Sequence, residues 1–208
     1  MVIGTQFFGK VRKVNGQAIA TKFVIIGVPL FPVTTMFVVK DMGNTKQGYE
    51  IDLNGESVGL GYGRMITFIL GLILTLIGSI GIHEERLLVP GMICIGLWGV
   101  FQFVLGQPRK EEEAKRLLIG NILGVNAFPE WLPQHVSNAL YRQLQALYEQ
   151  RKDKYGGMTW EQCIKGRRAI QPDYALFFTL AVYRNYFMPG MESEKLLEDV
   201  WSMRQTVS

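Results

Sequence analysis

The chain has 208 residues, 48% of them hydrophobic and 19% charged, which leaves room for one or two domains. Its net charge of +4, from 22 Lys+Arg against 18 Asp+Glu, is too mild to mark a nucleic-acid-binding protein, and no basic run is interleaved with aromatics. Cys94 and Cys163 show no metal-like spacing, and the first ten residues lack the basic-then-apolar order of a cleaved leader. No disulfide framework, metal site or cofactor is expected.

Taken in chain order, "FFGKVRKV" and "QAIATKFVII" flank Asn15-Gly16, a dipeptide suited to the type I′ turn of a β-hairpin. Residues 23–39, "FVIIGVPLFPVTTMFVV", carry no charge, yet Pro29 and Pro32 would break a helix there. Their Val, Ile, Thr and Phe content favours strands around a proline bend over a third or re-entrant membrane segment. "YEIDLNGESVGL" alternates and turns again at Asn54-Gly55. Residues 6–60 therefore predict a small antiparallel β unit at the inner membrane surface.

"GESVG", residues 55–59, has the spacing of a nucleophile elbow around Ser57. That motif needs a strand before it, a helix directly after it and a large parallel sheet beneath it. A glycine-rich strand connection is the reading taken. "GLGYG", residues 59–63, lacks the Walker spacing and its Lys, and reads as a compliant link. Arg64, which follows it, joins Arg109 and Lys110 as a candidate for lipid-headgroup contact.

Residues 65–82 and 87–106 are apolar runs separated by "HEER". At about 1.5 Å per residue each reaches across a hydrocarbon core of about 30 Å, the first only just. The expectation is a two-span transmembrane hairpin with "HEER" as its solvated turn. Basic residues flank both runs on one side, which places both termini on the cytoplasmic side of a bacterial inner or organellar membrane. Gly71, Thr75 and Ser79 form a small-residue stripe on the first run, and Gly96, Gly99 and Gly106 recur on the second. Such stripes let helices approach closely, either within the hairpin or against other subunits.

After Pro108 the chain reads as soluble and helical. "RKEEEAKR" is mixed in sign, as on a solvated helix face. Val136, Leu140, Leu144, Leu147 and Tyr148 recur at helical spacing. Thr159 and Gln162 match a capping box, and "DYALFFTLAVYRNYFM" is apolar on most faces, as a buried central helix would be.

The expected fold is thus an α-helical membrane protein. It comprises a β unit over residues 1–64, a two-span hairpin over 65–106 and a cytoplasmic helical domain over 107–208. The expected function is that of a non-catalytic integral membrane subunit or scaffold of a multiprotein complex. Its partners would be the lipid bilayer and neighbouring membrane subunits, without nucleic acid. The alternatives are a membrane-interface enzyme acting on lipid or headgroup, and a membrane-anchored regulator binding a soluble cytoplasmic partner.

Overall fold

A computed structural model of the chain describes residues 3–26, 28–42, 45–80, 85–166 and 173–204. It divides into two compact units, Met1–Arg109 and Lys110–Ser208.

The first unit opens with four antiparallel strands, β1 (Ile3–Val14), β2 (Gln17–Ile26), β3 (Val28–Met42) and β4 (Thr45–Ile51), lying side by side in chain order. Asn15 and Gly16 both take the left-handed backbone (φ 47° and 81°) that a type I′ turn demands. β1 slips register between Phe8 and Val11 and again before Val14. Gly9 and Arg12 lie within those slips with positive φ, the mark of bulges that bend a strand. β3 runs through both prolines, and its pairing with β2 shifts beside them. The described part of residues 23–39 is therefore strand, and the third span is excluded.

The helix α1 (Gly55–Ile80) begins directly after the sheet, ten residues before the apolar run. "GESVG" and "GLGYG" are thus its first turns, not a strand connection and a flexible link. Its N-terminal half lies on β1, β2 and β3, where Ile19, Phe23, Phe37 and Leu60 are buried. Phe23 meets Tyr62 edge-on at 5.3 Å. A short 3-10 turn, Glu85–Leu87, leads into α2 (Leu88–Phe103), which lies along α1. His83 and Glu84 of "HEER" fall outside the described residues.

This architecture overturns the expected α-helical, two-span transmembrane fold. The chain is mixed, with an antiparallel sheet as its first large element, and among the described residues only α1 is long and apolar enough to cross a membrane. The 16 residues of α2 rise about 24 Å, short of the roughly 30 Å needed. The expected second run loses both of its ends. Leu87 belongs to the 3-10 turn, and at the other end Gly106 turns left-handed (φ 78°) while its carbonyl accepts the Arg12 N–H at 2.5 Å. The sheet pulls the chain off its helical path.

The second unit holds five α-helices among the described residues: α3 (Lys110–Leu123), α4 (Gln134–Glu149), α5 (Trp160–Lys165), α6 (Tyr174–Phe187) and α7 (Met191–Met203). α6 is its centre, with eight consecutive residues from Leu176 to Tyr183 buried against Ile119, Leu144, Ile164, Leu196 and Val200. α5 starts with the capping box that the sequence predicts: the Gln162 N–H donates to Thr159 Oγ1, and the Thr159 N–H donates to Gln162 Oε1 at 3.0 Å. One reading of this segment changes. Arg116, within "RKEEEAKR", is fully buried. Its Nε donates to the Asn126 carbonyl at 2.7 Å, and its guanidinium lies 4.9 Å from the Trp131 ring centre.

Candidate functional site

The junction of sheet and α1 is a line of buried hydroxyls. Asn54 caps α1: its side-chain oxygen accepts the Ser57 N–H at 2.9 Å. Its own backbone N–H donates to Thr35 Oγ1 at 3.1 Å. Thr21 Oγ1 donates to Ser57 Oγ at 2.9 Å, and Ser57 Oγ donates to the Gly9 carbonyl at 2.6 Å. Thr21 has only one hydroxyl proton, so in its 2.9 Å contact with Thr35 it must be the acceptor. All donors then run one way, from Asn54 through Thr35, Thr21 and Ser57 to Gly9.

Ser57 is fully buried, as are Thr21 and Thr35. Its proton is committed to a carbonyl, and no substrate can reach it. It is a fastening between helix and strand. Gly9 is required at the same point, because a Cβ there would lie 2.0 Å from the Ser57 carbonyl oxygen. A polar clamp closes the outside: Arg12 Nε and Nη2 both reach Glu56 Oε2 at 2.8 Å, with Glu56 in the first turn of α1, where the helix dipole favours a carboxylate.

Arg64 does not reach outward as a headgroup contact would. Its Nε donates to the Phe101 carbonyl at 2.8 Å and its Nη1 to the Lys10 carbonyl at 3.3 Å. It satisfies a carbonyl of the last α2 turn and ties β1 to both helices. Arg109 and Lys110 are exposed.

The small residues divide between two roles. A Cβ at Gly71 would meet Ile95 at 2.9 Å and Cys94 at 3.2 Å, and one at Gly91 would meet Thr75 at 2.6 Å. Gly71 and Thr75 therefore lie in the α1–α2 contact. Thr75 and Ser79 each donate to the carbonyl four residues back, at 2.7 Å, and Ser79 is exposed. A Cβ at Gly96 or Gly99 would meet nothing within 4 Å beyond its own helix, so these two small residues are left uncovered. Gly106 lies past the end of α2 and not on a helix face: its turn sits against Leu60 of α1 and Val11 of β1. Gly63, Gly78 and Gly91 are close-approach points that the sequence reading missed, facing Phe101, Leu88 and Thr75 respectively. Gly63 lies eight residues before Gly71 and Gly78 seven after it, helical spacings that place both near the stripe.

What remains facing outward on this helical pair is almost wholly apolar. α1 presents eight large apolar side chains from Ile66 to Ile80, and α2 seven from Val89 to Phe103, each at least 40% exposed. Trp98 lies between Phe68 of α1 and Phe103, with ring centres 5.5 and 6.5 Å away. Among the described residues, no group of three or more His, Cys, Asp or Glu is placed to hold a metal ion. Comparison with protein-family models, with curated proteins and with solved structures finds no match for this chain.

Proposed function

We propose that this protein is a non-catalytic membrane subunit or scaffold, embedded through α1 and the apolar surface that α2 shares with it. The observation that carries the reading is the size of that surface. Contiguous apolar patches beyond a few hundred Å² are rare on soluble monomers and mark contact with lipid or another protein. Here at least fifteen large side chains contribute, uninterrupted by charge from Met65 to Ile80 and from Leu88 to Phe103. The uncovered strip at Gly96 and Gly99 suits a neighbouring helix. The sheet, with Lys10, Arg12 and Lys13, then faces the cytoplasm, as the positive-inside rule favours.

The test is extraction of native membranes. The chain should stay in the pellet after an alkaline carbonate wash, and in a mild detergent it should run as a particle heavier than its own 23.6 kDa plus the micelle. Release by carbonate defeats the membrane reading, and a lone chain in the micelle defeats the subunit reading.

A further inference from the structure

The β-sheet carries a groove of about 570 Å³ at its Asn15-Gly16 end, walled by Lys10, Lys13, Lys40 and Asp41 over a floor of Ala18 and Val38. We propose that this groove binds the phosphate-bearing headgroup of an anionic lipid. The proposal rests on the membrane reading and adds to it the lipid class that the sheet recognises.

Charge gives the first argument. Three of the four ionisable wall residues are lysines. The one carboxylate is already engaged, with Lys10 Nζ at 2.6 Å and Lys46 Nζ at 4.0 Å. Lys13 and Lys40 are exposed and make no ion pair among the described residues. The same crowding is felt next door, where burial and the Lys10 charge hold the Lys46 ammonium below its ordinary value. An anion entering the groove relieves that repulsion.

Position gives the second. The Lys10 carbonyl is held by Arg64, the last charged residue before the apolar length of α1, and the Arg12 N–H is held by Gly106, just past α2. Residues 10–12 are thus fastened where the exposed apolar surface of the helical pair begins at Ile66 and, just past α2, ends at Leu105. In a bilayer that level is the headgroup layer, and the lysine groove starts there. Basic side chains at this depth each contribute about a fivefold preference for anionic lipid.

The experiment uses the full-length protein in maltoside micelles, with bound lipids counted by native mass spectrometry on adding dioctanoyl phosphatidylglycerol or dioctanoyl phosphatidylcholine. Wild type should retain the glycerol lipid preferentially, and less so as salt is raised. The double variant Lys13→Gln/Lys40→Gln should bind it about twentyfold more weakly, with an unchanged melting temperature. Lys13→Arg/Lys40→Arg should bind as wild type does. Equal retention of both lipids, or undiminished binding by the folded Gln variant, overturns the proposal. Displacement of the lipid by an equal concentration of inorganic phosphate also overturns it, since the groove then takes a soluble anion. The carbonate wash separates the two readings. A membrane-resident wild type without lipid preference loses the groove alone, whereas a carbonate-released wild type loses the membrane reading whatever it binds.

Discussion

Ser57 shows what a single buried hydroxyl does here. Its oxygen accepts from Thr21 and its proton goes to Gly9, so Ser57→Ala strands one donor and one acceptor in a dry interior. A buried unsatisfied group costs about 1–3 kcal/mol, and the full-length protein in detergent should melt lower by that order. The informative partner is Thr21→Val, which removes the hydroxyl that donates to Ser57. Because both residues belong to one directed chain, the two losses should not add, and a double-mutant cycle read by thermal unfolding checks this. Gly9→Ala should be worse than either, by about 3 kcal/mol, since it adds a collision with backbone to a positive φ. In the second unit, Asp173 plays the comparable part with a charge. It is 3% exposed and receives Lys154 Nζ at 2.7 Å, Tyr155 OH at 2.6 Å and the Arg151 guanidinium. Burial alone would raise its pKa, but these donors outweigh it and hold the carboxyl below its ordinary value. The same arrangement, chiefly through burial and then through the bond to Asp173, pushes the Tyr155 phenol up. A depressed carboxyl stabilises fully above its unfolded pKa of about 3.9, and that contribution is lost as pH falls through the lower native value. Tryptophan fluorescence should therefore report acid unfolding of this unit beginning below about pH 4. Asp173→Asn should remove about 2–3 kcal/mol at neutral pH and flatten that pH dependence; an unchanged acid transition would show that another group governs it.

Between α1 and α2, small residues decide how near the helices come. Gly71 touches Ile95 and Cys94, whereas Gly99 faces open space. Gly71→Leu therefore forces the two helices apart and should destabilise the first unit by about 1–3 kcal/mol, seen as a lower melting temperature in detergent. Gly99→Leu leaves the pair unharmed. If a neighbouring subunit uses the uncovered strip, Gly99→Leu instead shrinks the mildly extracted particle while the melting temperature of the chain holds. The two variants thus separate internal contact from external contact. An intact particle with Gly99→Leu would place the partner elsewhere on the apolar surface.

The two units differ in what they show to solvent. Exposed large apolar side chains crowd α1 and α2, while the second unit contributes three among the described residues, Tyr186, Met188 and Met191. The irregular stretch 107–109 joins the units and offers Arg109 and Lys110 to trypsin. Brief digestion of intact membranes, opened so that both faces are accessible, should release a water-soluble fragment starting near Lys110 and leave residues 1–109 in the pellet. Co-sedimentation of both fragments after cleavage would show that the helical unit is held by a partner or by lipid.

Much of this molecule was legible in the chain itself. The Asn15-Gly16 turn, the strands through the prolines, the Thr159–Gln162 cap and the buried α6 follow from local conformational preference and apolar spacing, which act within a few residues. The start of α1 at Gly55 was not legible. Asn54-Gly55 suits a turn as well as a helix cap, and the decision came from Thr35, Thr21 and Gly9, three partners far away in sequence. The length of α2 was not legible either. Apolar composition continues to Gly106, but a hydrogen bond from Arg12 and the reach of Arg64 to Phe101 end the helix first. Arg64 and Arg116 carry the same lesson in charge. A formal charge in a sequence says nothing of whether its donors meet water, lipid or the protein's own carbonyls, because only the folded chain brings those acceptors within 3 Å or so.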